Sequence, residues 1–283
     1  IKEQPSEAAM IHLRSVSYSS SLPAGDGFPF TVPSLRALVS SALPELAFDA
    51  AVTFFVGENG SGKSTLLEAL ACAVGSITVG SESVSTDKSL TSVRDYARHM
   101  KLVWNKKTKK GFFMRSEDFF GYVKQQGRIK EEMLADLREI EDEYKGRSAL
   151  AKGLASMPYA RELADMGRRY GDGLDAYSHG ESFFTLFRSR FVPNGLYLLD
   201  EPEAPLSPSR QLTLIALLKQ MVDQGGQFII ATHSPILMAY PGAAIWSFDG
   251  GTLRRISYEE TEHYTITRGF LNNPQSYLKH LLE

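Results

Sequence analysis

The segment that most constrains this chain is Gly57-Glu58-Asn59-Gly60-Ser61-Gly62-Lys63-Ser64-Thr65. It follows Val52–Val56, a continuous apolar run that reads as a strand buried on both faces. It opens a helical stretch over Ser64–Val74. Glycines at these spacings let the backbone curl so that successive N–H groups point inward, and the helix N-terminus adds partial positive charge. All nine residues are therefore expected to cradle a phosphate chain. Lys63 would reach the β- and γ-phosphates and Ser64 would sit on Mg²⁺. A strand–loop–helix unit of this kind belongs in an α/β fold.

The rest of the chain agrees with that class. Further β-rich runs lie at Met10–Val16, Leu102–Trp104, Gly111–Met114, Gly195–Leu199, Gln227–Thr232 and Ala244–Phe248. Helical spacing occurs over Pro208–Gln224, and Asn273-Pro274 marks the start of a short helix near the end. Strands alternating with helices predict a mostly parallel core. Lys plus Arg (31) nearly balances Asp plus Glu (33), so net charge neither demands nor forbids a nucleic-acid partner. The single cysteine, Cys72, forms no internal disulfide, and no Cys/His cluster has zinc spacing, as expected of a cytoplasmic protein. No apolar run is long enough to span a bilayer.

Three further motifs carry chemistry. The apolar strand Leu196–Leu199 delivers Asp200 and Glu201 at its C-terminal end. Adjacent carboxylates repel unless a cation lies nearby, so Asp200 is expected to hold Mg²⁺ opposite Ser64, and Glu201 to activate a water. Tyr177-Ser178-His179-Gly180-Glu181-Ser182 starts a helix and offers a second anion site, with Ser178, Gly180 and Glu181 as its candidate contacts. His233 immediately follows the run Ile229–Thr232, at the edge where open α/β sheets bind ligands, and is expected to sense the γ-phosphate.

These four motifs, in this order, resemble those of the ATP-binding-cassette class of P-loop ATPases over about residues 10 to 250. The resemblance implies an α/β P-loop fold with a mixed sheet, here one domain over 1–283 with a small helical insertion around 118–176. It implies Mg²⁺-dependent ATP hydrolysis, with Lys63, Glu201 and His233 in catalytic roles. It also implies a head-to-tail homodimer on ATP, in which Ser178–Glu181 of one copy caps the nucleotide held by Gly57–Thr65 of the other. Asp200-Glu201-Pro202-Glu203 followed by Leu206-Ser207-Pro208 is similar to the RecF-like, chromosome-maintenance-like and overcoming-lysogenisation-defect-like branch and to small bacterial AAA-family ATPases. That branch suggests a DNA-related or defence-related process. A transporter's nucleotide-binding subunit is the alternative, although the usual Leu-Ser-Gly-Gly-Gln signature is absent. The class normally places a Gln after an early strand; Phe112–Glu117 has none, and Gln125 and Gln126 come later, so either Glu117 is the metal residue in its place or the corresponding stretch lies several residues away. The class also stacks adenine on an aromatic or guanidinium group from this N-terminal region, where Arg14 and Phe28-Pro29-Phe30 stand.

Three stretches lie outside this core. Lys101–Arg115 carries Lys101, Lys106, Lys107, Lys109, Lys110 and Arg115 with no acid, interleaved with Trp104, Phe112 and Phe113. Read as a strand–turn–strand hairpin, it is a candidate DNA contact, with solubility of a sheet edge as the plainer explanation. Ile129, Met133, Leu137, Ile140 and Tyr144 form one apolar helix stripe, too short for a long coiled-coil arm. His263, with Glu260 and Glu262, is expected to be a solvated turn rather than part of a site.

Overall fold

A computed structural model describes residues 10–18, 27–39, 45–79, 83–170 and 179–282. They fall in two compact units, residues 1–116 with 192–283, and residues 117–191. In chain order the elements are β1 (Leu13–Tyr18), α1 (Pro33–Val39), β2 (Leu46–Ala47), β3 (Val52–Val56), α2 (Lys63–Val74), α3 (Thr91–Ala97), β4 (Met100–Trp104), β5 (Gly111–Arg115), α4 (Ser116–Glu143), α5 (Ala149–Tyr170) and α6 (His179–Arg190). They continue with β6 (Leu196–Asp200), α7 (Pro208–Asp223), β7 (Gln227–Ala231), α8 (Pro235–Met238), β8 (Ala244–Ser247), β9 (Arg254–Ile256), α9 (Glu262–Asn272) and α10 (Pro274–Leu282).

The first unit is α/β. Its larger sheet has the order β5-β6-β7-β3-β8-β9, parallel except for the antiparallel pairing of β9 with β8. Every residue of β3, β6 and β7 is buried, which is why these runs are continuously apolar rather than alternating. Because the strands are parallel, the loops after β3, β6 and β7 leave from the same edge. That shared edge brings the three sequence motifs together.

A smaller antiparallel sheet has the order β2-β1-β4. Two fully buried polar residues pin it to the larger one. The Gln227 side chain accepts the His12 and Leu13 N–H groups at 2.9 and 2.8 Å and donates to the Leu13 carbonyl at 2.8 Å. The satisfied amide avoids the cost of burying an unpaired polar group at the sheet junction.

The expected hairpin over Lys101–Arg115 is not formed. Its two strands exist, but β4 pairs with β1 and β5 pairs with β6, in different sheets. Burial explains the split. Exposure alternates along β4, as on a sheet with one wet face, whereas Phe112, Phe113 and Met114 of β5 are all buried and need cover on both faces.

In the second unit, α4 runs 28 residues and α5 runs 22. The stripe Ile129, Met133, Leu137, Ile140 and Tyr144 is half-buried along its length. Lys152 of α5 bonds Glu141 of α4 at 3.0 Å beside the connecting turn. The aromatic run after the helix start supplies this unit's core. Phe183 stacks on Phe187 at 4.2 Å and meets Phe119 edge-on at 5.2 Å, and all three rings are buried.

Candidate functional site

The phosphate-loop candidate has the backbone its glycines suggest, with Gly57, Gly60 and Gly62 at φ of 142°, 79° and 103°. At Gly62 a Cβ would also lie 2.8 Å from Ser34 Oγ and 2.9 Å from Val32 Cγ1, so only glycine fits. Lys63 is only 4% exposed, and its Nζ donates to the carbonyls of Gly57 and Glu58 at 2.8 Å each. The ammonium thus lies inside the curl of the loop. Burial lowers its pKa, opposed by the carboxylates of Glu201, Asp200, Asp249 and Glu203. The buried hydroxyl Ser61 Oγ has no hydrogen-bond partner among the described residues, as expected of a loop built around an anion.

Two supports of this loop were not foreseen. Asp249, after β8, accepts the Glu58 N–H at 3.1 Å and is itself held by the Ser247 hydroxyl at 2.9 Å. Ser34 of α1 donates to the Ser61 carbonyl. With Glu58, Asn59 and Glu262, these two residues line an open pocket of about 420 Å³ beside the loop. No local sequence signal marks either residue, because each acts only through its place in the fold.

Strand β6 presents Asp200 at the sheet edge, 8% exposed, where its Oδ1 accepts the Ser64 hydroxyl at 3.0 Å. Burial pushes the Asp200 carboxyl up to about 7, the Ser64 hydroxyl pulls it down, and Glu201 raises it again. A buried carboxylate and a serine hydroxyl in contact suit a cation that keeps most of its shell from water and phosphate oxygens. Among the described residues no group of three or more His, Cys, Asp or Glu is arranged to hold a metal.

A stability prediction follows. A carboxyl with a raised folded-state pKa stays protonated in the fold where the unfolded chain ionises. The ligand-free fold should therefore lose stability as pH rises from about 4 to about 7. Chemical denaturation at pH 5 and pH 8 should show this loss in the parent, a smaller one in Asp200→Asn, and its reversal by Mg²⁺ in the parent alone.

Glu201 is one of two non-glycine residues described at positive φ, here 49°. Its N–H donates to the Ala231 carbonyl at 2.9 Å, and the Ser116 hydroxyl reaches the carbonyls of both Asp200 and Glu201. These bonds hold a sparsely populated backbone conformation at the strand end.

After β7, the His233 N–H donates to Glu203 Oε1 at 2.7 Å. His233 Nε2 lies 3.7 Å from Glu201 Oε1, and Nδ1 lies 2.9 Å from Nε2 of His263. The last contact corrects the expectation of a solvated turn. Thr261 N-caps α9 through the Tyr264 N–H, and this cap carries His263 two residues later against His233. Neither this helix start nor its docking was read from the sequence. Burial lowers the pKa of both imidazoles, with Lys63 adding to it.

Lys63, Ser64, Asp200, Glu201 and His233 are thus brought together. Other expected residues are placed differently. Ser178 lies outside the described residues. Gly180 and Glu181 lie in the first turn of α6, their side chains outside the description. Glu117 is exposed in the first turn of α4, in the second unit. Phe30 packs on Tyr96 at 5.2 Å as a cover, whereas Phe28 is 55% exposed, and Arg14 is exposed. In the basic stretch, Arg115 is held by Glu68 and Asp87 at 3.3 Å each, and Phe112 and Phe113 are buried. Those two rings are therefore closed to base stacking, while Trp104 is half-buried and Lys101, Lys106, Lys107, Lys109 and Lys110 are exposed.

Two families match parts of the chain. Residues 38–155 match a family described as "AAA domain", and residues 182–239 match one described as "AAA domain, putative AbiEii toxin, Type IV TA system". Both matches are to AAA-type domains, and they agree with the α/β fold and its strand–loop–helix phosphate loop. Solved structures similar to the chain include cbiO1 of Clostridium perfringens, part of the ABC transporter complex cbiONQ, at 15% identity, TM-score 0.43 and coverage of 96% of this chain and 99% of that one. Another is the Smc head domain of Pyrococcus furiosus with an extended coiled coil, bound to the C-terminal domain of ScpA, at 13% identity, TM-score 0.39 and coverage of 80% and 95%. No curated protein matches. Among the described residues no helix is long and apolar enough to cross a membrane.

Proposed function

We propose that this chain binds Mg²⁺-ATP and hydrolyses it, two copies pairing head to tail around the nucleotide. The observation that carries the reading is the convergence of Lys63, Ser64, Asp200, Glu201 and His233 at one sheet edge, with Ser64 hydrogen-bonded to Asp200 and His233 facing Glu201. Gly57–Thr65 wraps the phosphates, and Lys63 leaves its two loop carbonyls for phosphate oxygens. Ser64 and Asp200 would hold Mg²⁺, which when bound neutralises phosphate charge. Glu201 orients a water and takes its proton, and His233 donates from Nε2 to the γ-phosphate. Ser178, Gly180 and Glu181 cap the nucleotide of the second copy, Glu117 serves the metal in place of the class's Gln, and Phe28 is the aromatic available to adenine. Phosphate release from purified protein, dependent on Mg²⁺ and lost in Glu201→Gln, tests the reading; activity retained in that variant would overturn it.

For the process driven by hydrolysis, the toxin–antitoxin wording of the second family favours a defence-related role in the cytoplasm. The exposed lysines favour DNA as a partner. If DNA binds there, log affinity should fall steeply with log salt, and replacing Lys106, Lys107, Lys109 and Lys110 by Ser should reduce that slope by about one for each lysine on a phosphate. Fluorescence anisotropy with ATP across a salt series measures this, and no binding at low salt leaves these lysines as solubility residues.

A further inference from the structure

We infer that His263 is a positioning residue for the hydrolysis reaction, holding His233 in the tautomer that carries its proton on Nε2. The inference rests on the reading of His233 as the phosphate-facing histidine and names what sets its chemistry.

The two rings meet through nitrogen atoms alone, His233 Nδ1 and His263 Nε2, 2.9 Å apart and with the ring planes inclined by 58°. A hydrogen bond between two neutral imidazoles needs one N–H and one lone pair, so two arrangements exist. If His233 Nδ1 donates, its Nε2 is left as a lone pair facing the Glu201 carboxylate at 3.7 Å. That arrangement is repulsive, and it leaves nothing to donate to a phosphate. If His263 Nε2 donates, His233 Nε2 carries the proton toward Glu201 Oε1, which favours it electrostatically. His233 Nε2 is buried and has no hydrogen-bond partner among the described residues, so its proton remains available for an incoming oxygen. The backbone that carries the ring is anchored on both sides. The His233 N–H is tied to Glu203, and Ser234, the next residue, caps α8 and bonds Gln211 at 2.5 Å. The hydrogen bond at one imidazole nitrogen then decides the chemistry of the other.

Isosteric variants separate a donor from a spacer, because the Gln amide nitrogen can reach where His263 Nε2 stands, whereas Glu offers only oxygen there. His263→Ala and His263→Glu should lower kcat by about 10-fold to 100-fold, with the ATP KM within about twofold of the parent. His263→Gln should recover to within about threefold. Equal rates for Gln and Glu, an Ala variant as fast as the parent, or a common loss of ATP binding and thermal stability in all three would overturn the inference. Nitrogen-15 spectra of the parent's histidines give a second reading that needs no variant. His233 should show Nε2 protonated and Nδ1 bare, and the opposite tautomer overturns the assignment. A parent that hydrolyses no ATP would sink the proposed function, while the tautomer measurement would still test the His263–His233 bond.

Discussion

Glu201→Gln should stop turnover and leave ATP-bound chains paired. The substitution keeps the side chain's shape and removes its charge, so the left-handed turn held by the Ala231 carbonyl and the Ser116 hydroxyl is retained. A missing general base lowers hydrolysis by about 10²- to 10⁴-fold. The neutral amide also relieves repulsion toward Asp200 and toward an incoming γ-phosphate. With hydrolysis blocked, a dimer that the parent forms only transiently should accumulate, its apparent affinity set by both ATP and protein concentration. Adding Ser178→Arg should dissolve that dimer while leaving ATP loading intact, because a bulky cation would occupy the neighbour's phosphate cap. Size-exclusion chromatography with light scattering, with and without Mg²⁺-ATP, reads both outcomes. A Glu201→Gln chain that stays monomeric at saturating ATP would exclude pairing between copies of this chain.

The second large effect is at Lys63. Its ammonium is buried within the loop and bonded to the carbonyls of Gly57 and Glu58. Lys63→Ala should weaken ATP binding by about 100-fold or more, since the loop then offers dipoles but no full charge to the phosphates. The fold should survive, because the side chain is not part of the hydrophobic core around Leu66, Leu67 and Leu70. Ligand-induced stabilisation separates the two claims. At 100 times the dissociation constant a ligand adds about 2.7 kcal/mol to stability, so ATP should raise the parent's melting temperature by several degrees and the variant's by about one degree or less. A variant that ATP still stabilises as fully as the parent would remove Lys63 from the phosphate site.

Much of the site was legible because its residues sit in contiguous motifs. The run Gly57–Thr65 spells its own turn: glycines stand where φ is positive, and a strand and a helix flank them. The pair Asp200-Glu201 and the residue His233 each follow an apolar run, and a run buried on both faces can only be an inner strand. The hairpin expected over Lys101–Arg115 failed for a reason of the same kind. Two strands joined by a short polar turn can be read locally, but whether they pair with each other depends on which other strands compete. Here β1 offers β4 a half-wet antiparallel neighbour, and β6 offers β5 a dry parallel one.

By itself the sequence determined the phosphate loop, the strand-end carboxylates, the strand-end histidine and the α/β class, because each depends on periodicity and spacing within a few residues. Tertiary structure alone decided the rest. Asp249 supports Glu58 across 191 positions, Gln227 joins the two sheets across 215, and His263 meets His233 across 30. Such contacts leave no local pattern. A hydrogen bond between distant side chains is set by where parallel strands and their crossover helices end, and that geometry exists only once the core has packed.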